Sequence, residues 1–329
     1  MRITNVAIAR NYTSNLNKNL GALNNSNVKM AAGGRKFLNM AENPSSGIRA
    51  MGIRRSIANL NGYKDNAQHA LNVFNGAENT LMQLSDLTKD ISTKLTSALN
   101  GTNSEDERKI IAGELEKLRD EILLSANGQY AGRYFFGGTN TKSQPFVYDK
   151  DTGKLLYNGV DVSTIDKSTH AYLFNDAAYV DIGLGMAMSQ GADSQNVITN
   201  TAFKNTMVGL DVFGYGNDNI ILVIDEIINL LTDPSFDAEE GGKLLNKFLA
   251  SADSINLQIT KIGSDTQYLD FTISRLESEN DNLIERQDAL EFMDPTELIM
   301  ELKMQEYVYN AALQMGSRLL QPTIFDFIR

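Results

Sequence analysis

A heptad repeat that begins at residue 60 constrains the fold of this chain more than any other feature of its sequence. The positions of this repeat, which are alternately three and four residues apart, are occupied by Leu60, Tyr63, Ala67, Ala70, Phe74, Ala77, Leu81, Leu84, Thr88, Ile91, Leu95 and Ala98. All of these except Thr88 are apolar, and such a repeat is typical of a coiled coil. Asn43 with Pro44 predicts the start of the helix, and Asn100 with Gly101 predicts its end. The pattern therefore predicts one long helix with an apolar seam.

A second heptad series lies near the other end of the chain. It runs through Ile262, Leu269, Leu276, Leu283 and Leu290, with Ile259 and Ile273 at companion positions. We expect the two series to pack as a long antiparallel coiled-coil or helical-bundle rod formed by N- and C-terminal helices. The predicted coiled-coil core comprises Leu60, Phe74, Leu81, Leu84, Ile91, Leu95, Ile262, Leu269, Leu276, Leu283 and Leu290.

Further helices are marked by their capping residues. Ser104 and Glu107 have the spacing of a capping box and predict a helix that ends near Asn127. Residues 220–231 and 242–257 also have a helical pattern. Asp294 is followed by Pro295 and Glu297, which combine a cap, a helix-starting proline and a capping-box acid. This combination predicts a terminal helix that continues to Pro322.

The segment between residues 134 and 216 has a different character. Heptads vanish there, while glycine, asparagine, aspartate and aromatic residues become frequent. Residues 146–148 and 155–157 flank a turn and predict a β-hairpin. Residues 171–174 and 178–182 are predicted to form short strands. The sequence thus predicts a mainly α protein with a small β-rich insertion.

Five segments follow from these patterns. They are an N-terminal assembly arm (1–42), N-terminal rod helices (43–133), a β-rich outer domain (134–216), C-terminal rod helices (217–293), and a C-terminal assembly helix with its tail (294–329).

Charge is distributed unevenly along the chain. The net charge is −11, yet residues 1–60 hold nine lysines and arginines against the single acid Glu42. We therefore expect the basic arm to lie against the acidic C-terminal helices, although a basic, acid-poor arm could also be a transit or membrane-binding segment. The overall negative charge argues against nucleic acid or an anionic membrane as a partner. No apolar run reaches the length of a membrane span, and we expect no cleaved signal peptide.

The sequence offers little for catalysis or metal binding. It has no cysteine and two histidines, His69 and His170, which removes thiolate chemistry and histidine-rich metal sites. Residues 149–153 have some of the acids of a calcium loop but lack a third ligand, so a hairpin turn is the better interpretation. Residues 214–216 form a lone GxG without the third glycine of a phosphate-binding loop. We expect no catalytic residue, no metal and no cofactor, and hence no enzyme.

Several stretches resemble one known family. The opening MRITN, the stretch GGRKFL at 33–38 with NPSSG at 43–47, and ANGQYAGRYFFGGTNTKSQPF at 126–146 are the closest parts. The C-terminal YNAALQMGSRLLQPTIFDFI is similar as well. Together they resemble the flagellar hook-filament junction proteins (hook-associated protein 3) of the flagellin superfamily. Glu42-Asn43 stands where that superfamily has an acidic pair.

The resemblance implies a structural subunit of the bacterial flagellum at the hook-filament junction. Such a protein is exported by the flagellar type III apparatus without signal cleavage and is extracellular. Its implied partners are copies of itself, the other hook-associated junction protein, flagellin, and an export chaperone at the C-terminal helix. A divergent flagellin is the main alternative, and an unrelated coiled-coil scaffold or an enzyme with an undetected site also stays open.

Assembly is expected to use apolar residues in the terminal segments. The predicted assembly residues are Leu16, Leu20, Leu23, Leu302, Leu313, Leu319, Ile324 and Phe325. An apolar C-terminal tail would be an aggregation hazard in a monomer, because large exposed apolar patches favour association. Burial in an assembly would remove that hazard.

Overall fold

The computed structural model describes residues 5–99, 103–150, 152–188 and 197–319, with the side chains of residues 5, 6, 199, 318 and 319 excepted. The helices of this part are α1 (Asn5–Ala31), α2 (Pro44–Ala98), α3 (Glu105–Ala126), α4 (Ala171–Phe174), α5 (Gly209–Phe213), α6 (Ile220–Thr232), α7 (Ala238–Glu291) and α8 (Pro295–Leu319). The strands are β1 (Gln129–Tyr130), β2 (Arg133–Tyr134), β3 (Phe146–Asp149), β4 (Lys154–Tyr157), β5 (Val160–Asp161), β6 (Tyr179–Val180) and β7 (Phe203–Lys204). The predicted fold class, mainly α with a small β-rich insertion, is confirmed.

The chain divides into two compact units. The first unit joins Met1–Asn61 to Ser278–Arg329, and the second is the continuous segment Gly62–Glu277. Both ends of the chain therefore belong to the first unit, while the β-rich insertion belongs to the second. The long helices α2 and α7 each contribute residues to both units.

In the second unit, α2 and α7 run antiparallel. Lys64 Nζ lies 2.8 Å from Glu277 Oε1, and Ser85 Oγ donates to Asn256 Oδ1 at 2.9 Å. The core between the two helices contains Phe74, Leu81, Leu84, Ile91, Leu95, Ile262, Leu269 and Leu276, each at most 3% exposed. Thr88, the polar member of the heptad series, is also buried, and its hydroxyl donates to the Ser85 carbonyl at 2.8 Å. A local hydrogen bond therefore satisfies the one polar group placed in the seam.

The helices α3 and α6 pack against each other in the same unit. The capping box at the start of α3 is present, because the Glu107 amide donates to Ser104 Oγ and the Ser104 amide donates to Glu107 Oε2. The buried Asn219 caps α6 by accepting a hydrogen bond from the Ile221 amide at 3.0 Å. Most residues of α6 are apolar and buried, so this helix lies inside the core rather than on its surface.

The β-rich insertion is built around the hairpin of β3 and β4. These strands are antiparallel, with Phe146 opposite Tyr157, and β5 pairs on the other side of β4. The Phe146 and Tyr157 rings lie 4.9 Å apart, and the Phe146 ring lies 5.3 Å from that of Phe213 on α5. The Tyr157 hydroxyl donates to the Phe136 carbonyl at 3.0 Å. The predicted hairpin is confirmed, and its aromatic residues anchor it to the core.

One local prediction is wrong, and two predicted boundaries differ from those observed. Residues 171–174 form the helical turn α4 instead of a strand, because Leu173 and Phe174 are both buried. Neighbouring side chains of a strand point to opposite faces, whereas one helical turn can direct both towards the same core. The predicted helix at 242–257 is a part of the much longer α7, and pairing of β1 with β2 begins before residue 134.

A charged cluster connects α3, α6 and the hairpin. Arg119 donates through Nη1 to Asp225 Oδ1 at 2.6 Å and through Nη2 to Asp120 Oδ1 at 2.9 Å. Its guanidinium carbon lies 4.6 Å from the centre of the Tyr148 ring. Burial, together with a hydrogen bond to Asp225, raises the pKa of Tyr148 to about 12. The Arg119 side chain is only 11% exposed, so it is a buried cation held by a carboxylate on α6 and a ring on β3.

Replacement of Leu81 by alanine tests the seam. Leu81 is fully buried, so Leu81→Ala should lower the free energy of unfolding by about 2–5 kcal/mol. The neighbouring Met82 is 53% exposed, and Met82→Ala should change it by about 0.5 kcal/mol or less. Urea denaturation of the two variants measures the difference. Equal effects would contradict the assignment of Leu81 to the core.

Removal of the buried cation tests the charged cluster. Arg119→Met leaves the Asp225 carboxylate, whose side chain is 16% exposed, without its partner. The free energy of unfolding should fall by about 3–5 kcal/mol, and the double variant Arg119→Met/Asp225→Leu should recover most of that loss. Lys150→Met, at a side chain that is 70% exposed, should cost less than about 1 kcal/mol in urea denaturation. A double variant no more stable than Arg119→Met would contradict this account.

Candidate assembly surface

In the first unit, α1 and α8 pack against each other in opposite directions. The Tyr12 hydroxyl donates to the Ala312 carbonyl at 3.1 Å. Ser26 lies further along α1 and is buried, and its hydroxyl donates to Glu301 Oε1 at 3.4 Å. The N-terminal arm thus lies against the C-terminal helix, as the charge distribution predicted. The hydrogen bonds seen here come from Tyr12 and Ser26, while Glu306 pairs with Lys303 of its own helix at 2.8 Å.

A glycine makes the close approach of α1 and α8 possible. A Cβ atom at Gly316 would lie 2.0 Å from Tyr12 Oη and 2.3 Å from its Cζ, far inside van der Waals contact. Gly316 is buried, and alanine would ordinarily be the better helix former. The glycine therefore provides the space in which the Tyr12 ring lies across α8 and reaches the Ala312 carbonyl.

The Gly33-Gly34 stretch ends α1 and joins it to α7. Gly33 and Gly34 have φ values of 78° and 82°, which favour glycine. The Gly34 carbonyl accepts from the Met293 amide at 2.8 Å, and the Lys36 amide donates to the Glu291 carbonyl at 2.7 Å. These bonds hold the turn after α1 against the connection between α7 and α8. The GGRKFL stretch at residues 33–38 therefore joins the end of α1 to the connection between α7 and α8.

An ion pair between a buried carboxylate and a half-exposed arginine completes this junction. Arg54 on α2 donates through Nε to Glu291 Oε1 at 2.9 Å and through Nη2 to Glu291 Oε2. The Glu291 side chain is 3% exposed, whereas that of Arg54 is 49% exposed. Gln287 donates to the same carboxylate at 3.3 Å. Sequence reasoning missed this pair, because its members lie 237 positions apart and belong to no short motif.

The start of α8 agrees with its predicted cap. The amides of Thr296 and Glu297 donate to Asp294 Oδ1 at 2.7 and 3.4 Å. These hydrogen bonds, with that of the Thr296 amide the strongest, hold the pKa of Asp294 below its usual value. The capped start sets α8 apart from α7 as a separate helix.

The first unit has a small core and a large exposed apolar surface. Among its described residues, the buried apolar side chains are those of Ala50, Leu60, Leu298 and Leu302. The exposed large apolar residues of this unit, here called the terminal apolar surface, are Ile8, Leu20, Val28, Met30, Met40, Ile48, Met51, Ile284, Ile299, Met300, Met304, Tyr307, Val308, Leu313 and Met315. Most of these residues lie on α1 and α8, and contiguous exposed apolar patches mark interaction sites, so this surface is a candidate for one.

The structure places the predicted assembly residues in three environments. Leu302 is buried between α8 and α1, and Leu16 and Leu23 are half-buried. Leu20 and Leu313 are 46% and 43% exposed and belong to the terminal apolar surface. The side chain of Leu319, together with Ile324 and Phe325, lies outside the described residues. Assembly through these residues stays a prediction.

The predicted core residues divide between the two units. Leu60 is buried in the first unit, whereas Leu283 and Leu290 near the end of α7 are half-buried. Leu298, which was not among the predicted residues, is only 5% exposed and packs 3.5 Å from where a Cβ of Gly34 would lie. The heptad pattern alone could not show that the seam becomes less buried towards the ends of the long helices.

Within the described ranges, no three His, Cys, Asp or Glu side chains come together as metal ligands would. In the same part of the chain, no helix combines the length and the apolar character that crossing a membrane requires. The terminal apolar surface is therefore the candidate functional site.

Parts of the chain are similar to known flagellar proteins. Residues 3–141 match the bacterial flagellin N-terminal helical region. The flagellar hook-associated proteins 3 of Escherichia coli K12 and Salmonella typhimurium LT2 are each 29% identical, over 118 and 121 residues. These matches cover 36% of this chain and 37% and 38% of the two relatives. The chain thus spans little more than a third of the length of the curated relatives it matches.

The fold is similar to those of solved flagellar proteins. A flagellar hook-associated protein from Vibrio parahaemolyticus aligns with a TM-score of 0.62 and 18% identity, over 76% of this chain and 100% of that chain. The FlgL protein of Bacillus cereus aligns with a TM-score of 0.51 and 18% identity, over 72% and 99%. At these identities the likeness concerns the fold.

Residues 3–141 are thus similar to a flagellin-type N-terminal helical region. Over about a third of its length, the chain is also similar to flagellar hook-associated protein 3. The resemblance inferred from the sequence motifs is thereby confirmed.

Substitution of Gly316 tests the contact between α1 and α8. Gly316→Ala places a methyl group against the Tyr12 ring, and such overpacking should weaken the pairing by about 1–3 kcal/mol. Hydrogen–deuterium exchange of α1 should accelerate accordingly. Gly21→Ala, where no atom lies within 4 Å, is the matched control and should slow exchange or leave it unchanged. Unchanged exchange in Gly316→Ala would contradict the close approach.

Proposed function

We propose that this chain is a structural subunit of the bacterial flagellum that assembles with copies of itself at the junction between hook and filament. The terminal apolar surface is the observation that carries the proposal. Among its described residues the first unit has four buried apolar side chains, whereas α1 and α8 present large exposed ones that an assembly would bury. The relatives named flagellar hook-associated protein 3 support the place of this assembly in the flagellum.

Apolar burial supplies the affinity in this proposal. Fully burying one large aliphatic side chain contributes about 1.5–3 kcal/mol, whereas an exposed ion pair contributes about 0–1 kcal/mol. The basic residues of α1 and the glutamates of α8 therefore set the register between neighbouring copies, and residues such as Leu20 and Leu313 hold them together. Both leucines are exposed in the single chain and are available for such contacts.

Partners on either side follow from the position of the junction. The subunit contacts the other hook-associated junction protein towards the hook and flagellin towards the filament. Before assembly, an export chaperone covers the C-terminal helix, and the flagellar type III apparatus delivers the chain to the outside without signal cleavage. The second unit, with its continuous core, provides the mechanical connection. The protein acts as a connector and carries out no catalysis.

A divergent flagellin is the second candidate. The match of residues 3–141 to the flagellin N-terminal helical region favours it, because filament subunits share that region. Abundance separates the two functions. A filament subunit makes up the bulk of purified filaments, whereas a junction subunit is present in trace amounts, which quantitative mass spectrometry of sheared and intact flagella measures.

Deletion of the protein in its own bacterium tests the proposal directly. Cells should keep their hooks, lose their filaments and release flagellin into the medium, as electron microscopy and immunoblots would show. Complementation with Leu313→Asp should fail to restore filaments, since a charge replaces a side chain that assembly buries. Leu124→Asp, at a leucine of the second unit that is 67% exposed, is the matched control and should restore them.

Thermal melts of the purified variants complete this test. Leu313 is 43% exposed, so Leu313→Asp should melt within a few degrees of the unchanged protein. Normal filaments on cells that lack the protein would show that the proposed function is wrong. Normal filaments with Leu313→Asp would instead remove α8 from the assembly contact.

A further inference from the structure

Methionines form a stripe along the outer face of α8. Met300, Met304 and Met315 are 64%, 64% and 61% exposed, and Val308 between them is 36% exposed. At 100° per residue, these four positions fall within about 80° of one another around the helix. Tyr307, at 72% exposure, lies at the edge of the same stripe. The methionine stripe is defined here as Met300, Met304 and Met315.

The stripe faces away from the rest of the first unit. Leu298 and Leu302 are buried and Gly316 lies against Tyr12, which marks the side of α8 that contacts α1. By the helical period, the centre of that side lies about 130° from the centre of the stripe. A chemical change in the stripe therefore leaves the packing between α1 and α8 in place, while it alters the surface that α8 offers to another molecule.

Thioethers give this surface a property that leucine or valine would lack. A methionine side chain is flexible and apolar, and it fits irregular contacts well. Two-electron oxidants convert it to the sulfoxide, which is polar and accepts hydrogen bonds, and oxidation of methionine-rich interfaces disrupts them. A sulfoxide oxygen buried in an apolar contact without a donor is strongly disfavoured. Met207, which is only 9% exposed, lies in the core of the second unit and provides an internal comparison.

We propose that the methionine stripe is an oxidative modification site that controls assembly of the subunit. A hydroperoxide or hypochlorous acid is the oxidant. With hydrogen peroxide, the O–O bond breaks, one oxygen forms an S=O bond to the methionine sulfur, and the other leaves as water. The sulfur loses two electrons and the peroxide gains them. This inference rests on the proposed function, since it requires that α8 is buried on assembly.

The modification acts on the unassembled subunit. Before assembly the three methionine side chains are open to solvent, and after assembly they are covered. Oxidation before assembly prevents that burial. Burial in turn protects the thioethers of assembled subunits from oxidation. Methionine sulfoxide reductases reverse the reaction, which makes the site a switch rather than a lesion. Oxidised chains stay folded and monomeric until they are reduced.

The experiment uses purified full-length chain added, together with flagellin, to cells that carry hooks but lack this protein. Peptide mapping by mass spectrometry after brief peroxide treatment should find Met300, Met304 and Met315 oxidised well before Met207. Oxidised protein should restore at least tenfold fewer filaments than untreated protein. Treatment with sulfoxide reductases A and B should recover them.

Matched variants separate the stripe from the other exposed methionines. The triple variant Met300→Leu/Met304→Leu/Met315→Leu keeps the apolar volume and should restore filaments before and after peroxide. The triple variant Met300→Gln/Met304→Gln/Met315→Gln imitates the polarity of the sulfoxide and should fail without oxidant. Circular-dichroism melts of all samples should agree within a few degrees, since the stripe lies off the α1 contact.

Three outcomes decide the matter. Filaments restored equally by oxidised and untreated protein would overturn the inference and leave the proposed function standing. Loss of activity in the oxidised leucine variant would place the effect on other methionines and would also overturn it. Failure of the untreated protein to restore filaments would count against the proposed function, and the inference would fall with it.

Discussion

The apolar seam between α2 and α7 is the contact on which the rest of the structure depends. Each of these helices exceeds 50 residues, and both are rich in polar side chains outside the seam. Isolated helices gain little stability in water from propensity alone, so tertiary burial of one face must hold them. Here that burial is nearly complete from Phe74 to Leu95 on one helix and from Ile262 to Leu276 on the other. The helix α6 and the aromatic hairpin add to the same core.

The two units use different physical means to hold their shape. The second unit relies on a continuous apolar core, and the buried cation Arg119 lies beside that core. The first has few buried apolar side chains and depends on directed contacts: the ion pair of Arg54 with Glu291, the Gly34 turn, and the Tyr12 hydroxyl. Directed contacts fix geometry but contribute little net stability each. Such a unit keeps its apolar side chains available for neighbours while its own helices stay in register.

Periodicity explains how much of this could be predicted from the sequence. The heptads of α2, the capping box of Ser104 and the cap of Asp294 are local patterns, and each reflects a local interaction that the structure contains. Contacts such as Tyr12 with Gly316 or Arg54 with Glu291 join residues more than 230 positions apart, so no local sequence pattern predicts them. The turn at 171–174 was mistaken for a strand because four residues carry too little periodicity to separate the two.

For the candidate site, the predicted assembly residues lie on α1 and α8 or in the tail, but they include only part of the exposed apolar surface. Most of the predicted assembly residues are leucines, yet Leu302 is buried within the unit itself. The exposed face of α8 carries methionines and Tyr307 instead, and composition alone does not distinguish an exposed methionine from a core one. Exposure is a property of the packed structure, so it became visible only there.

The hydrogen bond from Tyr12 to Ala312 spans 300 positions, and this has a consequence for the order of folding. Closing so long a loop in an unstructured chain is entropically unfavourable and slow, since contacts distant in sequence form late. The contact between Lys64 and Glu277 encloses the whole second unit and lies near the boundary with the first. Once it has formed, the loop that α1 and α8 must close is far shorter. We therefore expect the first unit to complete its folding last, after the central fold has formed.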